Sequence, residues 1–505
     1  MEALQKYRGM PGGYETANAF DVAYSALTVG LVYVLGAGAK VLGGAKRWRP
    51  GEKLQVLFLA YSGARNTGAE VRVAECIRQT QQVLGAENVD INMTTLDPEQ
   101  AAEYFQGYTV NLRKFNTVFF GGIFREVLKN HVVVLVEGSC WKENFATALL
   151  LYFLYGAGLA RQLGKPCFSY AADAGKMNRI NNYASWLLCR DMKLITRSAP
   201  ATQVLADIGL TGATTRVDTA WSMPTESPEW ADEEFRKLGW DGKQRLAGLA
   251  FQNYFIWPVL PNVPAFVKAK ITGNVANQYK SIYFYDYHDA DRRKYEAFRD
   301  LCAAYLDWQA ETYDTQPVIV AMEALDDVAC RDLIAHMKRK AILISCKEYV
   351  GAKIGALLRR LAILTTTRYH AMVLSMPGAV PFIGLSRDER IMGVMKEIGE
   401  YERYYVDYRA ENLEAALRDR AAAILGEANE TARYRQAIAD NLPYYYAQMA
   451  MLGLDIRQFI HEKFPEFALP AIDENDPQNL VPWTPPEHLA ATKERFVALK
   501  KAEGR

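Results

Sequence analysis

Arg368 and His370 stand two residues apart in the run Thr365-Thr366-Thr367-Arg368-Tyr369-His370-Ala371. A planar guanidinium fork suits a carboxylate or a phosphate. An imidazole titrates near neutral pH and can serve as a general acid or base. The plainer alternative is a structural arginine beside a capping histidine. A second candidate is the loop Ser62-Gly63-Ala64-Arg65-Asn66-Thr67-Gly68-Ala69-Glu70. Its glycines let a backbone approach a ligand, and a helix start behind it favours an anion. It matches neither GxGxxG nor GxxxxGK[ST], and a helix cap with a turn accounts for it equally well. A third loop, Pro381 to Arg390, carries Arg387 and reads either as a cleft lining or as a solvated helix start. Asp326-Asp327 reads as an acidic helix start, favoured by the helix dipole.

These loops need elements to hold them. Apolar runs at 54–61, 89–95, 132–136, 167–172, 193–197 and 214–219 predict strands. Helical stretches at about 70–84, 144–163 and 199–208 alternate with them. A polar, proline-containing stretch, 223–244, reads as a linker. The alternation then restarts, with strands at 245–251, 317–322, 341–345, 361–366 and 379–385. Helices lie between them at 289–311, 326–339 and 351–360, and 411–448 is helical. Strands alternating with helices of this length mean βαβ units and parallel sheets. The fold class is therefore α/β, with two Rossmann-like domains and a central cleft. Ligands in such sheets sit beyond the carboxyl ends of the strands, where all three loops fall.

The predicted division is a hydrophobic, membrane-associating segment over 1–50, Rossmann-like domains over 51–240 and 241–430, and a C-terminal helix with a surface tail over 431–505. Half of the 505 residues are hydrophobic and 23% are charged, which fits a globular chain with large cores. The net charge of +1 supplies no field for nucleic acid. Seven cysteines without a CxxC pair argue against a disulfide framework or a zinc knuckle. Six histidines without an HExxH spacing give no metal site.

Val22 to Ala39 holds eighteen residues without a charge, bracketed by Asp21 and Lys40. At about 1.5 Å per residue that length barely crosses a bilayer core. Lys46, Arg47, Trp48 and Arg49 follow, which would keep the larger part cytoplasmic with Trp48 at the interface. The charges follow the apolar run instead of leading it, unlike a cleaved signal peptide. Spanning, lying in the interface and packing as a soluble helix stay open.

Taken in order, these segments resemble the polysaccharide pyruvyl transferase family. The family's first loop, GxxNxGDE, corresponds to Ser62 through Glu70. Its LGKP turn and small-residue loop correspond to Leu163-Gly164-Lys165-Pro166 and to Ala171-Ala172-Asp173-Ala174-Gly175. Its Arg-ended strand corresponds to Leu194-Ile195-Thr196-Arg197. The second domain matches at Asp326-Asp327, at Arg368-Tyr369-His370-Ala371 and at Pro381 to Gly399. The match covers roughly residues 54–400. Ala69 stands where the family has Asp, and Phe251-Gln252-Asn253-Tyr254 stands where it often has an Arg.

The resemblance implies a fold similar to GT-B glycosyltransferases and transfer of a pyruvyl group from phosphoenolpyruvate to a sugar hydroxyl. No cofactor beyond that donor is implied. Arg368 and His370 would be catalytic, the first gripping an anionic oxygen and the second acting as acid or phosphate ligand. Ser62, Asn66, Thr67, Gly68, Glu70, Arg197 and Arg387 would bind substrate. With the apolar segment, this implies a lipid-linked saccharide or glycolipid acceptor at the cytoplasmic face of the inner membrane, the protein being peripheral or single-pass. Two alternatives stay beside it: a GT-B-type glycosyltransferase using a nucleotide sugar, and a non-catalytic binding or scaffold subunit.

Overall fold

Strand β1 (Leu54–Leu59) shows how the first sheet forms. Its side chains alternate, so Val56 and Phe58 enter one core while Leu57 and Leu59 enter another on the opposite face. A strand buried on both faces belongs in a parallel sheet covered by helices. The computed structural model describes residues 19–505 apart from 117, 144–146, 257–258, 273–277, 281–282 and 286. The first sheet also holds β2 (Val89–Thr95), β3 (Asn111–Lys114), β4 (Val132–Leu135) and β5 (Cys167–Ser169). Their order is β3-β2-β1-β4-β5, all parallel. Strands β6 (Ile195–Thr196) and β7 (Thr214–Thr215) pair with each other alongside. They are far shorter than the predicted 193–197 and 214–219, because the chain turns at Ser198 into a capped helix and at Asp218 into a 3-10 turn.

The second lobe begins at β8 (Arg245–Ala250). A small antiparallel sheet follows, made of β9 (Val259–Pro261), β10 (Gln278–Lys280) and β11 (Tyr283–Tyr285). Then come β12 (Thr315–Ala321), β13 (Ile342–Ser345), β14 (Ile363–Thr366), β15 (Phe382–Leu385) and β16 (Tyr405–Val406). With β8 they form a six-stranded parallel sheet, ordered β13-β12-β8-β14-β15-β16. Two doubly wound lobes facing one another make the GT-B arrangement.

The stretch 223–244 is not a plain linker. Pro228–Lys237 is a helix capped by Ser227, and it buries Ala231 and Phe235 under its charged face. The helical stretch at 411–448 is two helices, Leu413–Gly426 and Ala428–Lys463. The second ties the lobes together. Near its start Tyr434 donates to the Phe382 carbonyl of β15 at 2.7 Å. Near its end Arg457 donates to the Val83 carbonyl of the first lobe at 2.7 Å. The tail then wraps the first lobe, where Gln79 donates to the Leu480 carbonyl at 2.6 Å. It closes in one more helix, Leu489–Ala502.

The N-terminal apolar helix is present as Ala19–Leu42. Its stretch from Phe20 to Leu42 is long and apolar enough to cross a bilayer, with a mean hydropathy of 1.7. It packs on the helices Thr147–Gln162 and Arg179–Cys189 of the first lobe. Trp48 meets Phe464 and Phe467 of the tail edge-on.

Candidate functional site

The first loop leaves β1 at its carboxyl end and folds back on its own helix. Gly63 takes φ +76, and a Cβ there would lie 2.5 Å from the Asp97 carbonyl, so only glycine fits. Ser62 Oγ donates to one oxygen of Glu70, and the Gly63 amide donates to the other, each at 2.8 Å. Burial pushes the Glu70 carboxyl up to about 7, against the opposing pull of those bonds. Asn66 caps the helix Thr67–Leu84 by accepting from the Ala69 amide at 3.1 Å. Ser62, Asn66 and Glu70 thus spend polar atoms on the loop itself. The Thr67 amide donates to the Met322 carbonyl beyond β12 at 2.9 Å, which joins the lobes.

Gly68 is where the lobes come closest to the histidine. A Cβ on Gly68 would lie 2.0 Å from His370 Nδ1, so the imidazole rests directly on the helix backbone. On its other side His370 Nε2 lies 3.6 Å from Asp218 Oδ2. Burial lowers the His370 pKa to about 4, outweighing the nearby carboxylate. The ring is therefore neutral at neutral pH.

Asp218 is a fully buried hub. Arg72 Nε lies 3.0 Å away and Arg197 Nη1 2.7 Å away, and these cations hold its carboxyl well below the usual range despite burial. Arg197 also donates to Asp173 at 2.6 Å, as does Lys142 Nζ at 2.6 Å. The Arg197 and Arg390 guanidiniums stack at 5.3 Å and 5.1 Å from the Tyr369 ring. Arg368 is held by Asp326, accepting from Nε at 2.8 Å, and by Glu323 at 3.1 Å. Its remaining edge faces the cleft. Arg387 is half exposed and lies 3.4 Å from Asp407.

The cleft between the lobes has a volume of about 450 Å³. Lys142 and Lys176 of the first lobe face Arg368, Arg387, Arg390 and Arg409 of the second. Asp388 and Glu389 are the carboxylates among the lining residues. Tyr254 and Tyr408, stacked at 4.1 Å, close one end. Below lies a smaller pocket of about 90 Å³, lined by Glu137, Glu323, Arg368 and His370 among others. Burial raises the Glu137 carboxyl, and its Oε2 has no hydrogen-bond partner among the described residues. Cations set around a cleft in this way suit a polyanion on the outside, with titratable groups beneath. Among the described residues no His, Cys, Asp and Glu cluster is arranged to hold a metal.

Sequence reasoning reached Arg368 and Arg387 in this cleft and His370 in the smaller pocket below it. It passed over Lys142, Lys176, Asp218, Glu137 and Arg409. The run Glu137-Gly138-Ser139-Cys140-Trp141-Lys142 follows β4, so the rule that ligands lie beyond strand ends reaches it too. Where the first strand of the second lobe lacks an arginine, Gln252 donates to the Thr367 carbonyl at 2.8 Å, and Arg409 brings a cation to the cleft from after β16.

No family model and no curated protein matches the chain. Its fold is shared with solved structures. One is assigned as a UDP-N-acetylglucosamine 2-epimerase from Listeria monocytogenes, with TM-score 0.51 and 12% identity, over 83% of this chain and 99% of that one. Another is the Anabaena protein Alr3699/HepE in complex with UDP and glucose, with TM-score 0.52 and 12% identity, over 82% and 99%. At such identities the likeness is one of fold, and the fold is of the GT-B type.

Proposed function

We propose that the protein is a GT-B enzyme that binds a nucleotide sugar in the interlobe cleft and transfers the sugar to a hydroxyl acceptor. The observation that carries this is the convergence of Lys142, Lys176, Arg387, Arg390 and Arg409 on one cleft ending in two tyrosines. A nucleoside diphosphate has both features to match: two phosphates for the cations and a flat base for the aromatic end. Fold likeness to a protein solved with UDP supports uridine as the base to try first. In the reaction the bond between the sugar's anomeric carbon and the diphosphate oxygen breaks, and a bond to the acceptor oxygen forms. The cations stabilise the charge gathering on the departing diphosphate. The acceptor proton passes to neutral His370 or to the Glu137 carboxylate below.

The Arg-x-His-Ala run supports pyruvyl transfer from phosphoenolpyruvate as the second reading, since that donor also carries a phosphate, together with a carboxylate. The test is thermal stabilisation of the full chain by UDP, UDP-sugars, GDP-sugars and phosphoenolpyruvate. A ligand at one hundred times its Kd adds about 2.7 kcal/mol. Stabilisation by a nucleotide sugar, lost in Lys142→Ala and Arg409→Ala, is the expected result. Stabilisation by phosphoenolpyruvate alone overturns the proposal in favour of the second reading. No response to any of them points to a non-catalytic protein.

A further inference from the structure

The helix Ala19–Leu42 is packed inside out. Its buried stripe is Ser25, Thr28, Val32, Gly36 and Ala39, mostly small or polar at helical spacing, flanked by half-buried Tyr24, Val29, Leu31 and Leu35. Its outward face carries Phe20, Leu27, Tyr33, Val34, Val41 and Leu42, exposed by 37–87%. A helix on the surface of a water-soluble domain has the reverse arrangement. The glycines and the hydroxyl explain the inward fit. A Cβ on Gly36 would lie 2.7 Å from Gln162 Cβ, and one on Gly158 would lie 3.0 Å from Val32. Ser25 Oγ donates to Asn181 Oδ1 at 2.6 Å.

The same contacts decide how such a helix can meet a membrane. It is held to the first lobe from Ser25 to Ala39, about 21 Å of its axis. Just beyond, the Lys46 amide donates to the Leu128 carbonyl at 2.8 Å. Were it to span a bilayer, the lobe along its flank would enter the hydrocarbon with its buried ions and helix ends, which is prohibitive. Lying flat, it inserts only its outward face.

We infer that this face is an in-plane docking surface for an anionic lipid bilayer. Charge supports the choice of occupant. Lys40, Lys46, Arg47 and Arg49 follow the apolar face, and the Lys46 to Leu128 bond brings them to the helix Phe120–Lys129 with its exposed Arg125 and Lys129. Glu52 and Glu126 answer them, at 3.7 Å from Lys46 and 3.6 Å from Lys129. An apolar stripe beside an excess of cations is the pattern that anionic headgroups attract.

The inward face of the same helix leads to the cleft. Asn181, which receives Ser25, donates to Glu143, and Glu143 also accepts from the Asn178 amide at 2.8 Å. Glu143 adjoins Lys142, and Asn178 lies two residues from Lys176, both lining the cleft. The helix that docks is therefore joined to the cleft rim through the lobe, and a bilayer on its outward face would suit a lipid-linked saccharide as acceptor. That last step rests on the glycosyl-transfer reading, whereas the docking does not.

The experiment is flotation of the full chain with vesicles of phosphatidylcholine, alone or mixed with phosphatidylglycerol. The chain should float with the mixed vesicles, on the order of tenfold better than with the neutral ones. The triple variant Leu27→Asp, Val34→Asp, Val41→Asp should float roughly tenfold less or worse. It changes only exposed positions, so its response to nucleotide sugar should match that of the wild type. Spin labels on Leu27→Cys, Val34→Cys and Val41→Cys, made singly, report depth, because the seven native cysteines are buried. All three should sit at one shallow depth, about 5–10 Å into the headgroup and acyl boundary. A Val34 label far deeper than the other two means a spanning helix and overturns the inference. So does an unfloated chain that is dimeric and that the triple variant renders monomeric, because the face is then a contact between copies.

Discussion

Replacing Gly68 by alanine sets two effects of opposite sign against each other. In an ordinary helix the change gains about 0.5–1 kcal/mol, because glycine loses more backbone entropy on folding. Here the new Cβ would lie 2.0 Å from His370 Nδ1, 2.5 Å from Cγ and 2.7 Å from Cε1. The ring cannot simply retreat, since Asp218 lies behind it and Tyr369 meets it edge-on at 5.0 Å. Overpacking of this kind costs about 1–3 kcal/mol. The clash should win, leaving Gly68→Ala less stable by about 1–2 kcal/mol. With about 2–4 °C per kcal/mol for a lobe of this size, the melting temperature should fall by about 2–8 °C. Adding His370→Ala removes the ring and should rescue the loss, giving a coupling of about 1–3 kcal/mol in a double-mutant cycle read by thermal or urea unfolding. A Gly68→Ala protein at or above the wild-type melting temperature, or additive single and double variants, would refute the close approach of the two lobes at this point.

Arg197→Met removes one of the two cations from each of two buried carboxylates, Asp173 and Asp218, and, with Lys142 and Arg72 still on them, should cost about 1.5–3 kcal/mol in urea unfolding. A loss below about 1 kcal/mol would mean that the pairs are not desolvated as drawn. His370 has a folded pKa of about 4 against 6.5 when unfolded, so between those values the unfolded chain binds more protons. Its contribution to stability is complete above pH 6.5 and is lost as the pH falls toward 4. Relative to His370→Asn, the wild type should therefore lose about 2 kcal/mol between pH 7 and pH 5. Parallel pH profiles for the two proteins would show that the ring is not buried in its neutral form.

What could be read from the residues, and what could not, follows from the range of the forces involved. Strands such as Val89–Thr95 and helices such as Thr67–Leu84 are written in local periodicity, so they were legible to within a few residues. Segment 223–244 was misread because a helix with four acidic and two basic residues shows only Ala231 and Phe235 as its apolar face. The loop Ser62 to Glu70 was visible, but not that Glu70 would turn back on Ser62 and Gly63. Asp218 was out of reach altogether. Its meaning lies in Arg72, Arg197 and His370, which are brought to it from 146, 21 and 152 positions away along the chain. The fold supplies that proximity, and no spacing rule announces it.

Arg216 carries a consequence for how the molecule is made. Its guanidinium is gripped on one side by Asp455 and on the other by Glu503, the latter 287 residues further along the chain. During synthesis at about 5–20 residues per second, that buried cation waits about 15–60 s for its last partner. The first lobe is thus translated early but sealed last, when the C-terminal helix arrives. Truncation of even the final dozen residues should strike the lobe made first.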